Sequence, residues 1–391
     1  MRYKFAIILC FTSVNASANV LQYFAGLSYH NPAELFKVKK NEFIIGGTSF
    51  YADIGFQGNV LNLNTFQYDS GIAHSRRVSL LPFGRIAARA NEKIVLAVDV
   101  TEPFHSNLVY GGKAFTRYAA TETLMTDVDI SPRFSLNIYP QLYFGGGLNF
   151  NFLKNNETNW ALPINQTDYA TLINRTSGFG VGYDTGLYYM ANQTNFFGIA
   201  YYSSIKQKTR GESLFDGDVN NALSFNFRMP ATTILNYVHL FSQTWLASLQ
   251  AFRSEWNANH YARIRNTAAR PPVNKDFTFT MKYKESWAYS AAIHHQYKES
   301  LGFTLIGLID DGPERDPLRT INFPSDVQYF IGLATDYHFN KEASLELLYG
   351  HVFSNTTIGN RITINNQSLP FTTGKIRINA DVIDLRFKMQ A

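Results

Sequence analysis

Val327-Gln328-Tyr329-Phe330-Ile331-Gly332-Leu333-Ala334-Thr335-Asp336-Tyr337-His338-Phe339 alternates with a period of two. Val327, Tyr329, Ile331, Leu333, Tyr337 and Phe339 fall on one face, and Gln328, Gly332, Asp336 and His338 on the other. Successive side chains of a strand point to opposite faces, so this strand separates an apolar medium from a wet one. Tyr337 and Phe339 stand at its end, where a girdle of aromatics meets a membrane interface. Asn340-Lys341-Glu342 then turns the chain into another alternating stretch.

The same signal predicts strands at 42–52, 79–90, 93–104, 122–138, 141–153, 177–190, 194–209, 223–240, 244–256, 284–297, 300–310, 327–339, 343–354 and 376–387, fourteen in all. Tight turns at 91–92, 139–140, 191–193, 242–243, 299 and 340–342 alternate with long polar links at 53–78, 105–121, 154–176, 210–222, 257–283, 311–326 and 355–375. Short connections at one end and long ones at the other are the pattern of an outer-membrane barrel, and an even count puts both termini in the periplasm. The expected fold is all-β: a transmembrane antiparallel barrel of fourteen strands over 42–391. In the last strand Ile376, Ile378, Ala380 and Val382 share one phase while Ile383, Leu385 and Phe387 take the other, which predicts a bulge.

Composition points the same way. Aromatics make up 15% of the 391 residues and charged residues only 17%, with mean hydropathy close to zero. The chain is under-charged for a soluble protein and too amphipathic for a helical membrane protein. No stretch approaches the ~20 apolar residues a membrane helix requires, so any crossing is made by strands. Met1-Arg2-Tyr3-Lys4, the apolar run from Phe5 to Phe11 and Ala16-Ser17-Ala18 read as a signal peptide, 1–18, cut after Ala18. Ile7-Ile8-Leu9 lacks the small residues that precede a lipidated cysteine, which argues against a lipoprotein reading of Cys10. Loss of Arg2 and Lys4 lowers the net charge from +5 to +3, too little for a nucleic-acid-binding surface. Cys10, the only cysteine, leaves with the signal, which excludes disulfide scaffolds, cysteine–metal sites and thiol nucleophiles.

One mature segment, 19–41, lies outside the strand pattern. Its apolar residues Val20, Leu21, Tyr23, Phe24 and Leu27 precede Asn31-Pro32-Ala33. The segment reads as a plug, a hatch held inside the lumen.

At Asn31-Pro32-Ala33 the chain resembles the long-chain fatty acid transporter (FadL/TodX) family of outer-membrane hydrophobic-compound channels. The likeness returns in Gly178-Phe179-Gly180, in Gly186-Leu187-Tyr188-Tyr189 and in Gly198-Ile199-Ala200-Tyr201-Tyr202-Ser203. Further on it is carried by Met229-Pro230, Trp245, Trp256, Asp311-Gly312-Pro313 and Arg319-Thr320-Ile321-Asn322-Phe323-Pro324-Ser325-Asp326. These blocks cover nearly the whole mature chain in the family's order. The resemblance implies a fourteen-stranded barrel with an N-terminal hatch, capture of ligand by outer loops, an apolar internal pocket, and sideways exit at a kink in the third strand. Pro103 carries that kink here, because proline cannot donate a ladder hydrogen bond. Phe104 would line the opening. Three features depart from the family's pattern: only twelve residues, 19–30, precede Asn31; His105 stands where a glycine follows Pro-Phe; and Lys388-Met389-Gln390-Ala391 follows the terminal aromatic Phe387.

Other constellations favour plain structural readings. His294 and His295 are strand neighbours on opposite faces and cannot share one ion. Asp310, Asp311, Glu314 and Asp316 lack the ligand spacing of a calcium loop. Gly178-Phe179-Gly180-Val181-Gly182 is followed by a strand rather than the helix a phosphate cradle needs. Asn-x-Thr triplets, such as Asn156-Glu157-Thr158, mean little in a bacterial outer membrane. No G-x-S-x-G occurs, and no enzyme, metal or cofactor is expected. Arg76-Arg77 is a candidate contact for lipopolysaccharide phosphates, and Lys154 a candidate partner for a ligand headgroup. The expectation is a monomeric channel in the bacterial outer membrane for long-chain fatty acids or similar hydrophobic small molecules, in contact with outer-membrane lipids and lipopolysaccharide. A general diffusion porin and a surface adhesin are the alternatives.

Overall fold

The computed structural model describes residues 26–271, 273, 275–364 and 367–390. The expected signal peptide, Leu21, Tyr23 and Phe24 lie outside the described residues. The strands are β1 (Asn41–Leu61), β2 (Tyr68–Arg89), β3 (Ile94–Thr101), β4 (His105–Val109), β5 (Glu122–Tyr139), β6 (Leu142–Pro163), β7 (Tyr169–Met190), β8 (Asn195–Tyr202), β9 (Ile205–Phe215) and β10 (Asp218–Met229). They continue with β11 (Thr232–Leu240), β12 (Trp245–Ser254), β13 (Tyr261–Arg265), β14 (Phe277–Thr280), β15 (Ser286–Lys298), β16 (Leu301–Asp310), β17 (Gln328–His338), β18 (Ala343–Ile364) and β19 (Gln367–Gln390). Every pairing is antiparallel, and β1 pairs β19 from Glu42–Gln390 to Val60–Thr372, so the sheet closes on itself. Five wall strands are interrupted: the third runs through β3 and β4, the seventh through β8 and β9, the eighth through β10 and β11, the ninth through β12 and β13, and the tenth through β14 and β15. The wall therefore has fourteen strands.

All fourteen expected strands are present, and most of the long links are shorter than expected. β1 and β2 stay paired as far as Leu61–Tyr68, β6 and β7 as far as Pro163–Tyr169, and β18 and β19 as far as Ile364–Gln367. The wall projects beyond the membrane, where the outer face is wet: Asp53 pairs with His74 and Arg76 on exposed positions of β1 and β2. Alternation of hydrophobicity fades there, although the ladder continues.

The expected bulge at 376–387 is absent, since the register with both neighbours is unbroken across that stretch. Instead the two faces exchange roles. In the outer half Ile376, Ile378, Ala380 and Val382 are buried in the lumen while Arg377 is exposed; in the inner half Ile383, Leu385 and Met389 are exposed while Asp384 is buried. The lumen is thus apolar towards the outside of the cell and charged towards the periplasm.

The outer mouth is filled by inward-folded loops. Ile321 packs with Phe56, Val60, Tyr118, Ile358 and Ile376. The loop that carries Ile321 is tied by Arg319, which is 1% exposed and ion-paired to Asp316 at 3.0 Å and Asp326 at 3.1 Å; it also donates to Ser325 O and Thr357 O. Glu314 accepts from Ser325 N, and burial holds its carboxyl well above the usual range. Gly312 turns beneath them with φ +55, and a Cβ there would stand 2.8 Å from Asp326 O. These residues are the Asp-Gly-Pro and Arg-Thr-Ile blocks of the sequence. Arg319→Ala is expected to free this loop at a cost of about 3–5 kcal/mol, the usual effect of breaking a buried pair. The check is faster cleavage within 311–327 by added protease, with the barrel itself still folded.

Candidate functional site

The lumen side of the wall carries an apolar layer built by nearly every strand. Phe50, Leu81, Phe104, Tyr202, Ile234, Phe252, Ile306, Phe330 and Leu348 belong to one cluster, joined by Tyr29 from the N-terminal segment. Beneath it lies a charged layer. Arg85 donates two hydrogen bonds to Asp99, at 2.6 and 2.8 Å, and Arg133 bridges Asp99 at 2.6 Å and Asp184 at 3.1 Å. Asn149 donates to Asp129, Ser131 and Asp184. Charges buried this deeply are tolerated only when paired and hydrogen-bonded, so Asp99→Leu, which strips both arginines of a shared partner, is expected to destabilise the barrel by about 3–5 kcal/mol. Urea unfolding followed by tryptophan fluorescence checks it.

The N-terminal segment packs against this lumen wall. Asn31 caps the short 3-10 helix Pro32–Lys37: its Oδ1 accepts from Ala33 N at 3.0 Å, and proline supplies the fixed φ of a first helical turn. The same side chain donates through Nδ2 to Leu187 O at 2.9 Å and Ile199 O at 3.3 Å, which joins the segment to β7 and β8. Ala33 is fully buried, and its carbonyl accepts from Ser135 Oγ. Such close approach requires bare backbone on the wall. A Cβ at Gly186 would come within 2.1 Å of Asn31 Oδ1, and one at Gly145 within 2.2 Å of Ala33 N. Leu35 and Val38 pack on Ala87, Val95 and Ala97, Leu27 on Ile44 and Phe83, and Phe36 stacks on Tyr143 at 3.8 Å. Tyr202 donates to His30 O. At the far end Arg89 gathers the carbonyls of Phe36, Val38 and Lys39.

The third wall strand breaks at Glu102, Pro103 and Phe104. Its ladder to β5 stops at Thr101–Asp129 and resumes at His105–Thr126, so three residues on one side face two on the other. Phe104 N donates to the Asp127 carboxylate at 2.9 Å instead of to the ladder. On the other side the pairing with β2 ends at Gly84–Val100, and β4 makes no main-chain ladder with β2 among the described residues. Side chains span the space. His105 Nε2 meets Ser79 Oγ and its Nδ1 meets Glu102, both at 2.7 Å; Asn107 reaches Val78 O and Ser79, and Ser75 Oγ accepts from Val109 N.

Of the residues singled out by sequence, Leu27, Asn31, Pro32 and Ala33 come together on the lumen wall, Pro103 and Phe104 lie in the break, and His105 is the first paired residue beyond it. Phe104 turns into the lumen layer, edge-on to Tyr29 and Trp256, each at 6.4 Å. Lys154 does not join them: it is exposed on the outer face while its neighbour Leu153 takes the lumen position, because the strand phase puts the two on opposite sides. Pro82, exposed on β2 within the stretch that lacks a third-strand partner, was missed by sequence reasoning. A proline inside a strand is the signal that marks it.

Comparison with known proteins places this architecture. The chain is similar, at 21% identity over 208 residues, to the long-chain fatty acid transport protein of Escherichia coli (strain K12), covering 48% of this chain and 45% of that one. A relative of the same description from Salmonella typhi matches at 21% over 187 residues, 43% and 42% of the two chains. The chain thus spans less than half the length of these curated relatives in the matched region. In fold it is similar to a Pseudomonas aeruginosa FadL homologue, with a TM-score of 0.81, 13% identity and 93% of both chains covered. It is also similar in fold to the P. putida toluene transporter TodX, with a TM-score of 0.68, 14% identity and 92% of both chains covered. The profile of the family described as "Outer membrane protein transport protein (OMPP1/FadL/TodX)" matches residues 16–390, so the chain is an outer-membrane β-barrel that belongs to this family.

Proposed function

We propose that this protein is a monomeric, passive channel for long-chain fatty acids or similar hydrophobic compounds, plugged by its N-terminal segment and emptied sideways through the third strand. The observation that carries the reading is the pairing of an apolar lumen layer with a wall that lacks main-chain hydrogen bonds at the same level, next to Phe104. Apolar walls stabilise a ligand by roughly 25 cal/mol per Å² of surface removed from water, with no titratable centre required. Below that layer the lumen is charged, so a hydrophobic solute has no favourable route straight through to the periplasm.

The E. coli relative is named for long-chain fatty acids and the P. putida structure for toluene. The interior bears on the choice between such ligands. The buried arginines Arg85, Arg133 and Arg319 are each ion-paired to carboxylates, which leaves an uncharged hydrophobe better matched than a free carboxylate. The test compares uptake of a radiolabelled long-chain alcohol and the fatty acid of equal length by cells with and without the protein. Faster entry of either supports the channel. Unchanged entry of both, together with ion conductance, would favour a diffusion porin, and surface binding that survives a sealed lumen would favour an adhesin.

A further inference from the structure

We propose that the outer face of β9, β10 and β13, with the concave wall beneath it, binds an acylated and phosphorylated glycolipid of the outer leaflet, the chemistry of lipopolysaccharide. On β9 the exposed positions are Lys206, Lys208 and Arg210; β10 contributes Arg228, and β13 contributes Arg263 and Arg265. Arg228 lies opposite Lys206, while Asn226 and Ser224 of β10 lie opposite Arg263 and Arg265. The six cations therefore occupy one patch on three adjoining strands. Among the described residues none of them is ion-paired: the nearby Glu212 pairs with Arg175, and Arg253 and Arg270 hold their own carboxylates. Like charges on neighbouring strands repel one another, so the patch is complementary to a multiply charged anion. Arginine and lysine suit phosphate oxygens, to which they donate charge-assisted hydrogen bonds.

The position of the patch fixes the kind of anion. On its membrane side stand Tyr183 and Tyr201, with ring centroids 6.1 Å apart, and Trp287 stacked on Tyr289, as in the aromatic belt of a bilayer interface. Below the belt the same wall is hollowed. A concavity of about 960 Å³ is lined by Phe197, Ile199, Leu235 and Leu249 together with Ala251, Ala291 and Gly307, which carry little or no side chain. A Cβ added at Gly307 would meet nothing within 4 Å. The wall thus presents cations on the water side of strands seven to nine and an apolar hollow on the lipid side that runs from these strands on to the eleventh. A free phosphate would use the first alone and a neutral lipid the second alone; a phosphorylated headgroup on several acyl chains uses both. This patch is separate from Arg76-Arg77, where Arg76 is held by Asp53 and Arg77 by Asn107.

The experiment uses the full chain, purified in detergent, and native mass spectrometry of complexes with bisphosphorylated lipid A, with its dephosphorylated form and with inorganic phosphate. The expected result is a stoichiometric lipid A adduct that weakens by about tenfold or more when phosphates are removed from the lipid. It should weaken likewise when Lys206→Gln, Arg228→Gln and Arg263→Gln are combined. Heat-modifiable migration on a gel confirms that this surface variant is folded. Gly307→Phe, which fills the hollow, should lower lipid A binding while leaving the cations in place. Equal binding of dephosphorylated lipid A, or an adduct undiminished in the folded triple variant, would overturn the site. Binding of inorganic phosphate as tight as lipid A, untouched by Gly307→Phe, would equally overturn the acyl-chain part and with it the proposal.

Discussion

Removal of residues 19–37 is expected to turn a silent barrel into one that shows discrete ion-conducting steps in planar bilayers, roughly an order of magnitude above the intact protein. The segment is joined to β7 and β8 by two hydrogen bonds from Asn31 and to β5 by Ser135, and its apolar side chains cover Tyr188, Phe196, Val238, Ala87 and Val95. Without it the glycines at 145, 186 and 198 leave a bare inner wall on the periplasmic side of Arg133, Asp99 and Asp184, which water would enter. Two milder variants address the same docking. Asn31→Ala loses the helix cap, worth about 1 kcal/mol, and two hydrogen bonds worth about 1 kcal/mol each; Gly186→Val drives a side chain into the place of Asn31 Oδ1. Both should raise conductance part of the way. A deletion variant that inserts normally and stays closed would mean that the segment does not occlude the lumen.

How much of this was legible beforehand depended on whether a residue's role was local. Strand positions within the membrane were readable because lipid and water impose opposite demands on alternate residues, as in β17, where Tyr329, Ile331 and Leu333 face out and Asp336 faces in. Above the membrane that contrast disappears, and strands such as the outer parts of β1 and β18 looked like loops. In β19 the misreading had a different source. Its change of apolar phase at Val382 and Ile383 reflects a change in what fills the lumen, from side chains of the apolar layer to Asp384 and the charges below it. No local pattern distinguishes that from a bulge. Asn31 and Pro103 were visible as motif and strand-breaker, but what meets them and their neighbours was not: Gly186 and Gly198 lie far from Asn31 in sequence, and Asp127 and Ser79, which meet Phe104 and His105, lie on other strands. The exposed position of Lys154 was not legible, because the phase of a strand near its irregular end, where β6 slips register against β7 between Leu153 and Asn156, decides which face a side chain takes.

Pro103→Val is expected to slow uptake of a long-chain substrate several-fold at equal surface abundance, while the barrel folds and inserts normally. A hydrophobic solute in the lumen gains about 0.8 kcal/mol per CH₂ by passing to lipid rather than water, so a sideways route is strongly favoured if the wall offers one. The wall is weakest where β2 loses its main-chain partner after Gly84–Val100 and where Pro82 and Pro103, on facing strands, lack N–H groups to restore it. Valine at 103 supplies a donor and favours extended pairing, which draws the third strand towards β2. His105 acts in the opposite sense to a hinge: it spans the space by touching Ser79 and Glu102 at once. His105→Gly removes that bridge and should leave uptake equal or faster. The combined result separates a gap from a mere weak point in the fold, because a purely structural role would make both variants less stable and neither faster. Wild-type uptake by Pro103→Val at equal abundance would show that substrate does not leave through the third strand.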